Sequence, residues 1–272
     1  MTAPHRVAVV TGAARGIGAA TVRALAAEGW HVLAVDRAAD DASVPYSLAT
    51  DADLAAAVSE ASRTAEASGA GGQIVACQAD VRDAAALTGA VADAETRWGG
   101  LDAAIACAGV IAGGVPQWEV PAEQERAVLD IDLGGVLNLA RAAVPALLRR
   151  PEPRSGRFLA VASAAATRGL PMLAAYCAAK AGVAGLIRAL AVELGRTGVT
   201  ANAVSPGSTA TAMLDESARL YGLSGAHEFA STQPAGRLLA PAEVAAVVAF
   251  LAGPASSGMT GAVVPVDGGL AL

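Results

Sequence analysis

The stretch VAVVTGAARGIGAA, residues 7–20, decides the fold of this chain. It opens with an apolar run of strand length and ends with the start of an Ala-rich helical stretch. Between the two lie Gly12, Gly16 and Gly18, and glycines at such a turn let backbone N–H groups approach a pyrophosphate. Their spacing differs from G-x-G-x-x-G, so a tight turn without a ligand is the alternative, and downstream residues must decide between them.

The alternation of strand-length apolar runs with Ala-rich helical stretches continues to the end of the chain. It predicts an α/β fold built on one doubly wound parallel sheet with helices on both faces. No linker or internal repeat interrupts the alternation, so we predict a single domain over residues 1–272. The seven predicted strands are residues 6–12, 31–36, 73–80, 101–109, 156–163, 199–207 and 261–269.

Composition narrows the possible functions. A net charge of −6 argues against sequence-independent binding of nucleic acid, which requires a basic face. The three cysteines stand far apart without a CxxC pair and the histidines are scattered, so we predict neither a metal site nor a disulfide framework. No secretory signal is visible, and the apolar run VAAVVAFLA is too short to span a bilayer, so we expect a cytoplasmic protein.

Asp36 stands at the end of the second predicted strand, 18 residues after Gly18. An acidic side chain at this place can accept hydrogen bonds from the ribose of an adenosine. Asp36 could also simply end its strand, but its position together with the glycine loop favours a dinucleotide site.

A second group of residues indicates proton-transfer chemistry. In SAAATRGLPMLAAYCAAK, Tyr176 and Lys180 are four residues apart and share one face of a predicted helix. A Lys ammonium beside a tyrosine favours the phenolate and lowers the pKa of the hydroxyl. Ser163, at the carboxyl end of its strand, can hydrogen-bond a substrate oxygen as its charge changes. An amphipathic helix with a half-buried tyrosine is the simpler alternative, and the serine upstream argues against it.

These stretches resemble the short-chain dehydrogenase/reductase superfamily over essentially the whole chain. TGAARGIG (11–18) is similar to the cofactor loop of that family, and DVRD (80–83) to its adenine contact. CAG (107–109) resembles its Asn-Asn-Ala-Gly segment, and SPGSTAT (205–211) its nicotinamide-side loop. The resemblance implies a Rossmann-like fold and NAD as the cofactor.

The resemblance also implies roles for individual residues. Tyr176 would be the general acid/base, Lys180 would bind the nicotinamide ribose and tune Tyr176, and Ser163 would orient the carbonyl or alcohol. Asp36 followed by Arg37 resembles the NAD-preferring members, since a carboxylate opposes the extra phosphate of NADP, although the arginine weighs the other way. The implied cofactor-binding residues are Gly12, Arg15, Gly16, Ile17, Gly18, Asp36, Arg37, Asp80, Val81, Cys107, Ala108, Gly109, Tyr176, Lys180, Pro206, Gly207, Thr209 and Thr211.

Two departures from the family pattern stand out. Asp132 occupies the place of an Asn that many members use as a fourth catalytic residue; it keeps an acceptor but loses the amide donor, or it is a plain helix residue. Residues 37–72 are polar, small and longer than a helical crossover needs, which predicts an insert. Such an insert resembles the actinobacterial group associated with the redox peptide cofactor mycofactocin, in which NAD does not exchange freely. A surface loop of no consequence is the alternative.

Together these residues predict an NAD-dependent oxidoreductase that interconverts a secondary alcohol and a ketone. We expect Tyr46 and Leu48 of the insert to cover the adenosine half of the cofactor, and helices apolar on more than one face to assemble a homotetramer. Alternatives are a catalytically weakened dinucleotide-binding regulatory or scaffold protein and an ordinary NAD(P)-exchanging carbonyl reductase, such as a 3-oxoacyl reductase. Substrate specificity is expected in segment 208–236 and at Val110, Ala164, Ala165 and Met172.

Overall fold

A computed structural model describes residues 5–272. Its seven strands form one sheet in the order β3-β2-β1-β4-β5-β6-β7, with every neighbouring pair parallel, which confirms the predicted architecture. Each strand lies within its predicted range. The strands are β1 (Val7–Thr11), β2 (His31–Asp36), β3 (Ile74–Gln78), β4 (Ala103–Ala106), β5 (Arg157–Val161), β6 (Thr200–Pro206) and β7 (Val263–Val266).

Helices cover both faces of the sheet. The inner strands are buried on both faces, which is why they read as continuous apolar runs in the sequence. One apolar core lies between the sheet and α1, α2 and α8, and the other between the sheet and α3 to α6. Within the described residues the α-helices are α1 (Gly16–Ala27), α2 (Asp51–Ser68), α3 (Ala84–Trp98), α4 (Ala122–Leu129), α5 (Gly135–Arg149), α6 (Ala174–Glu193), α7 (Ala212–Leu220) and α8 (Pro241–Ala252).

Helix α2 occupies half of residues 37–72, so the insert is shorter than predicted. The helix begins after Thr50, whose hydroxyl accepts from the Asp53 N–H while the Asp53 carboxylate accepts from the Thr50 N–H, and it ends at Gly69 with φ 67°. Most of residues 37–72 is therefore the ordinary crossover between β2 and β3, and only residues 37–50 are additional. This helix was not predicted because its buried face is narrow and leaves only a weak apolar periodicity. The residues buried are Leu54, Ala61 and Ala65.

A single π turn, Asp130–Gly134, separates α4 from α5. By length and composition alone, Ala122–Arg149 and Ala174–Glu193 could cross a membrane. In the fold, 56% of the most apolar 18-residue stretch of the first segment and 44% of that of the second is buried inside the protein, as in the core helices of a parallel α/β sheet. The π turn matters for function because it carries Asp132.

The strand order creates a crevice at one edge of the sheet. From β1 the chain proceeds outward to β2 and β3, and it then returns to β4 on the other side of β1. The loops that follow β1 and β4 therefore diverge at the carboxyl edge, the place where open α/β sheets bind ligands.

Candidate active site

A cavity of about 630 Å³ opens at this carboxyl edge. It extends from Asp36 and Asp80 at one end, called the adenosine end after the role that the sequence predicts, to Tyr176 and Lys180 at the other, called the catalytic end for the same reason. Every predicted catalytic or cofactor-binding residue lines it except Asp132, which lies behind Lys180. The cavity thus unites residues that are far apart in the chain.

The loop after β1 has the shape of an anion cradle. A Cβ at Gly12, where φ is 66°, would lie 2.6 Å from Ala108, and a Cβ at Gly18 would lie 1.9 Å from the Gly12 carbonyl oxygen. Only glycine fits these two positions. Helix α1 has neither a side-chain cap nor an acidic residue in its first turn, so its backbone N–H groups are available to a pyrophosphate. The residues present therefore fit a dinucleotide.

At the adenosine end, backbone hydrogen bonds hold the Asp36 carboxylate in place. One carboxylate oxygen accepts from the Ala14 N–H and the other from the Ala38 N–H, both at 3.0 Å. The side chain closes β2 and faces the cavity. Its oxygens have further lone pairs that could accept from ribose hydroxyls.

Acidic side chains engage Arg37 beside this carboxylate. Its guanidinium lies 2.5 Å from Asp41 and 3.5 Å from Asp80. Arg82 contacts the same two carboxylates at 2.7 and 2.6 Å. Hydrogen bonds from Ser43 and Arg82 outweigh burial and hold the pKa of Asp41 well below its ordinary range. Arg37 is thus paired within the protein rather than free to meet a phosphate.

Residues 37–50 form part of the cavity wall. The Tyr46 hydroxyl accepts from the Ile111 N–H at 3.1 Å, and Arg15 donates to the Ser47 carbonyl at 3.1 Å. Tyr46 and Leu48 line the cavity together with the glycine loop. Burial raises the pKa of Tyr46, so its hydroxyl stays protonated. Tyr46 reaches farther toward the catalytic end than the adenosine position that the sequence suggested.

At the catalytic end, β5 and α6 present three polar side chains. Ser163 follows β5, and its hydroxyl oxygen accepts from the Ala165 N–H at 3.1 Å. Tyr176 lies in the first turn of α6, and the Lys180 Nζ is 5.6 Å from the centre of its ring. Nζ also donates to the Val161 carbonyl at 3.1 Å, which fixes the ammonium between strand and helix.

The pKa of Tyr176 is raised from its ordinary value, mainly by burial. The Lys180 ammonium and a hydrogen bond with Ser163 act in the lowering direction that the sequence predicted, while the Asp132 carboxylate acts against them. The predicted effect of Lys180 is therefore present, but burial and Asp132 outweigh it in this structure.

Asp132 is fully buried and faces Lys180. Its Oδ1 accepts from the Val110 N–H at 2.8 Å, and its Oδ2 lies 3.3 Å from the Lys180 Nζ. Burial raises the pKa of Asp132 against the opposing effects of Lys180 and the Val110 N–H. For Lys180, burial acts to lower the pKa, but Asp132 and Tyr176 outweigh it and the pKa is raised. Asp132 is thus no ordinary helix residue.

Cys107 stands where the Asn-Asn-Ala-Gly segment of the family has an asparagine, and its thiol is hard to ionise. Burial raises the pKa of the Cys107 thiol to about 12, although Thr21 and Lys180 both act to lower it. Cys107 lines the floor of the cavity as a neutral group. Within residues 5–272, no cluster of His, Cys, Asp and Glu has the geometry of a metal site.

The substrate end of the cavity has mostly apolar walls. Val110, Ala164 and Ala165 line it as predicted, whereas Met172 does not and its carbonyl instead accepts from the Gly114 N–H at 3.1 Å. The predicted segment 208–236 contributes much of the wall. The sequence missed Leu270, whose carbonyl accepts from Arg168 at 2.7 Å; its place just after β7 was the available signal. Further apolar wall residues are Ile111, Leu170, Leu173, Met213, Tyr221, Leu223 and Phe229.

Comparisons with known proteins agree with this geometry. The family model described as enoyl-(acyl carrier protein) reductase matches residues 12–271. Short-chain reductase protein NovJ of Streptomyces niveus is 40% identical over 97% of this chain and 93% of its own length.

Solved structures agree as well. Carveol dehydrogenase from Mycobacterium avium in complex with NAD has a TM-score of 0.90 at 31% identity and covers 98% of each chain. Actinorhodin polyketide ketoreductase with NADPH has a TM-score of 0.85 at 31% identity and covers 98% of this chain and 97% of its own. The chain therefore belongs to the short-chain dehydrogenase/reductase superfamily of oxidoreductases.

Proposed function

We propose that this protein is an NAD-dependent dehydrogenase that interconverts a secondary alcohol and a ketone. The observation that carries the proposal is the convergence of Ser163, Tyr176 and Lys180 on one cavity that also contains the glycine loop and Asp36. A bound nicotinamide would supply hydride acceptance or donation at the catalytic end. The surrounding apolar walls favour an apolar substrate, since an apolar pocket with a few convergent polar groups is typical of small-molecule sites.

In this proposal the chain's own residues move the proton. During oxidation, the Tyr176 phenolate takes the proton of the alcohol. During reduction, the Tyr176 hydroxyl returns a proton to the substrate oxygen. The Ser163 O–H can donate to the substrate oxygen, because its own oxygen is already positioned by the Ala165 N–H. Lys180, held by the Val161 carbonyl, keeps a positive charge beside the phenolate that forms.

We assign Asp132 the position of the family asparagine. Its carboxylate lies within reach of the Lys180 ammonium and keeps that group charged. Asp132 can accept a proton or a hydrogen bond but, when ionised, cannot donate one. A relay from Tyr176 through Lys180 would therefore end on an acceptor at Asp132.

The preference for NAD over NADP rests on Asp36 and Arg37. The Asp36 carboxylate opposes a phosphate on the adenosine ribose. Arg37, which could have attracted that phosphate, is engaged by Asp41 and Asp80. The balance of charge at this place favours the cofactor without the extra phosphate.

We further propose that residues 37–50 retain NAD in the cavity and that mycofactocin reoxidises it. The support is the pair of contacts that tie the segment across the groove, from Tyr46 to Ile111 and from Arg15 to Ser47. An enzyme that cannot release NADH needs an external electron acceptor to turn over repeatedly. A homotetramer is also proposed, because apolar Leu137 and Val192 are 42% and 82% exposed on α5 and α6.

One experiment separates the proposed function from its alternatives. Freshly purified protein is denatured and the released nucleotide is quantified, and exchange with labelled NAD is followed while alcohols are screened with an artificial electron acceptor. We expect stoichiometric NAD, slow exchange and turnover that depends on the acceptor. Rapid exchange with ordinary turnover would indicate a carbonyl reductase of the 3-oxoacyl type. Bound NAD without turnover on any alcohol would favour a regulatory or scaffold protein.

A further inference from the structure

Among the residues that the structure describes, four cations line the main cavity, and two of them have a counter-ion within the protein. Arg37 contacts Asp41 and Asp80. Lys180 faces Asp132. The four are Arg15, Arg37, Arg168 and Lys180. The other two cations are free to meet the negative charges of a ligand.

The two cations without a counter-ion, Arg15 and Arg168, lie in different parts of the cavity. Arg15 directly precedes α1 in the glycine loop, where the proposed dinucleotide would place its pyrophosphate. Arg168 follows Ser163 by five residues and belongs to the substrate end. No carboxylate among residues 5–272 lies within ion-pair distance of Arg168. The cofactor therefore accounts for Arg15 and leaves Arg168 without an anionic partner.

The Arg168 guanidinium is held at the cavity wall from one side. Its Nη1 donates to the Leu270 carbonyl at 2.7 Å, and Leu270 lines the same cavity. The edge formed by its Nε and Nη2 has no hydrogen-bond acceptor among the described residues. The Arg168 backbone N–H donates to the Ala164 carbonyl at 3.0 Å, which ties the residue to the turn after Ser163. A positioned guanidinium with a free edge of two donors can bind a carboxylate through two parallel hydrogen bonds.

Glu228 is the acidic side chain of the substrate wall, and it is engaged elsewhere. One of its oxygens, Oε1, accepts from the Ser224 N–H at 2.6 Å and from the Ser224 hydroxyl at 2.8 Å. These hydrogen bonds lower the pKa of Glu228, so its carboxylate stays ionised. The residue is exposed, and water therefore screens its repulsion of another anion. Glu228 neither neutralises Arg168 nor prevents a negative ligand from binding there.

We propose that the substrate carries a carboxylate, which Arg168 binds through its Nε–Nη2 edge. The inference rests on the proposed function and adds the class of substrate: a hydroxy acid or keto acid whose apolar body contacts the apolar walls. A carboxylate has two oxygens and a single charge, which match one guanidinium edge, whereas a phosphate would need further donors. The helical turn from Ser163 to Arg168 spans about 7.5 Å. The carboxylate should therefore lie roughly four or more bonds from the reacting carbon.

Calorimetric titration of the wild-type protein saturated with oxidised NAD tests the proposal. The probes are 7-oxooctanoate and its methyl ester, which are ketones and so cannot react with oxidised NAD. We expect the acid to bind roughly tenfold more tightly than the ester, because the ester keeps the carbon chain and loses the charge. 3-Oxobutyrate, whose carboxylate lies too near the ketone to reach Arg168, should bind no better than its own methyl ester.

Three variants assign the preference to Arg168. Arg168→Met should bind the acid and the ester equally and keep the wild-type affinity for NAD, because the cofactor lies at other residues. Arg168→Glu should reverse the order and favour the cationic ketone 8-aminooctan-2-one over 7-oxooctanoate, which a misfolded protein would not do. Arg63→Glu is the matched control, since it makes the same change in net charge at an exposed position of α2 and should keep the wild-type preference.

Equal affinity of the wild type for 7-oxooctanoate and its methyl ester would overturn the proposal. So would a full preference for the acid in Arg168→Met, or its loss in Arg63→Glu, which would indicate the field of the whole protein rather than Arg168. Oxidation of 7-hydroxyoctanoate with an artificial electron acceptor is measured separately. If the acid preference depends on Arg168 but the alcohol is not oxidised, the proposed dehydrogenase is wrong while the anion site stands.

Discussion

The two ends of the main cavity hold their charges in different ways. At the adenosine end, Arg37 and Arg82 share Asp41 and Asp80, and these side chains are 9% to 33% exposed. At the catalytic end, the side chains of Asp132 and Lys180 are 0% and 5% exposed and face each other at 3.3 Å. Water screens the first network, so it contributes little to stability and mainly fixes shape. The second pair lies where one charge strongly shifts the pKa of its neighbours.

We expect this difference to separate cofactor selectivity from reactivity. Substitutions at the catalytic end should change the rate and its pH dependence, because they alter buried titrating groups. Substitutions at the adenosine end should change which cofactor binds and how long it stays. Each prediction below tests this separation. A change of cofactor selectivity from a substitution at the catalytic end, or a change of the rate of the chemical step from one at the adenosine end, would contradict it.

The largest effect is expected for Tyr176→Phe. The variant removes the hydroxyl that we propose transfers the proton and leaves the ring in place, so turnover should fall by about 10³-fold or more while NAD still binds. The measurement is steady-state turnover beside NAD binding by titration. Tyr46→Phe is a matched control that removes a hydroxyl from the same cavity and should keep most of its turnover. A Tyr176→Phe enzyme with undiminished turnover would refute the assignment.

The next largest effect is expected for Asp36→Asn. The amide keeps the shape of the side chain but removes the charge that opposes the phosphate of NADP. We expect the ratio of the NADP and NAD dissociation constants, measured on cofactor-free protein, to shift by roughly tenfold toward NADP, about 1.4 kcal/mol. Asp51→Asn, at an exposed position in the first turn of α2, should leave the ratio unchanged. An equal affinity of the wild type for both cofactors would contradict the proposed selectivity.

Local patterns, together with the family resemblance, identified most of the residues that line the main cavity. Tyr176 and Lys180 are one helical turn apart, and the buried strands leave uninterrupted apolar runs, so their positions follow from spacing alone. Helix α2 was missed because its narrow buried face leaves a weak periodic signal. Residues 37–50 form a loop without a periodic pattern, so the contact between Tyr46 and Ile111 could not be predicted from the sequence.

Properties that depend on packing could not be predicted. Asp132 was identified as a departure from the family, but its complete burial against Lys180 follows from a π turn, and the raised pKa of Tyr176 follows mainly from the burial of Tyr176 itself. The contact of Arg168 with the Leu270 carbonyl joins residues 102 positions apart, which no local pattern encodes. Such pairs become visible only once the chain is folded.

Asp132→Asn should have an intermediate effect that is seen in the pH profile. The Asp132 carboxylate raises the pKa of Tyr176, so its neutralisation should lower that pKa. In the proposed mechanism alcohol oxidation requires the Tyr176 phenolate, so its rate should begin to rise at a lower pH, by about one pH unit. The pH profile of kcat for oxidation is the measurement. A shift to higher pH, or none at all, would show that Asp132 does not act on Tyr176.

The smallest effect is expected for Tyr46→Phe, which tests whether residues 37–50 retain the cofactor. The change leaves the Ile111 N–H without its acceptor at 3.1 Å and costs about 1 kcal/mol of the contact that holds the segment closed. If opening of the segment limits release, NAD should dissociate roughly fivefold faster, since 1 kcal/mol is about a fivefold change in an equilibrium constant. Release is measured by displacement of bound NAD with labelled NAD.

The matched control is Tyr221→Phe, which also removes one hydroxyl hydrogen bond, from Tyr221 to the Pro171 carbonyl at 2.8 Å. Tyr221 lies in the substrate wall, outside residues 37–50, so its loss should affect the KM for the alcohol and leave NAD release unchanged. If both variants released NAD at the wild-type rate, residues 37–50 would not be the barrier to dissociation. If both accelerated release equally, the substrate wall and the segment would open together, and the separation of the two ends would no longer hold.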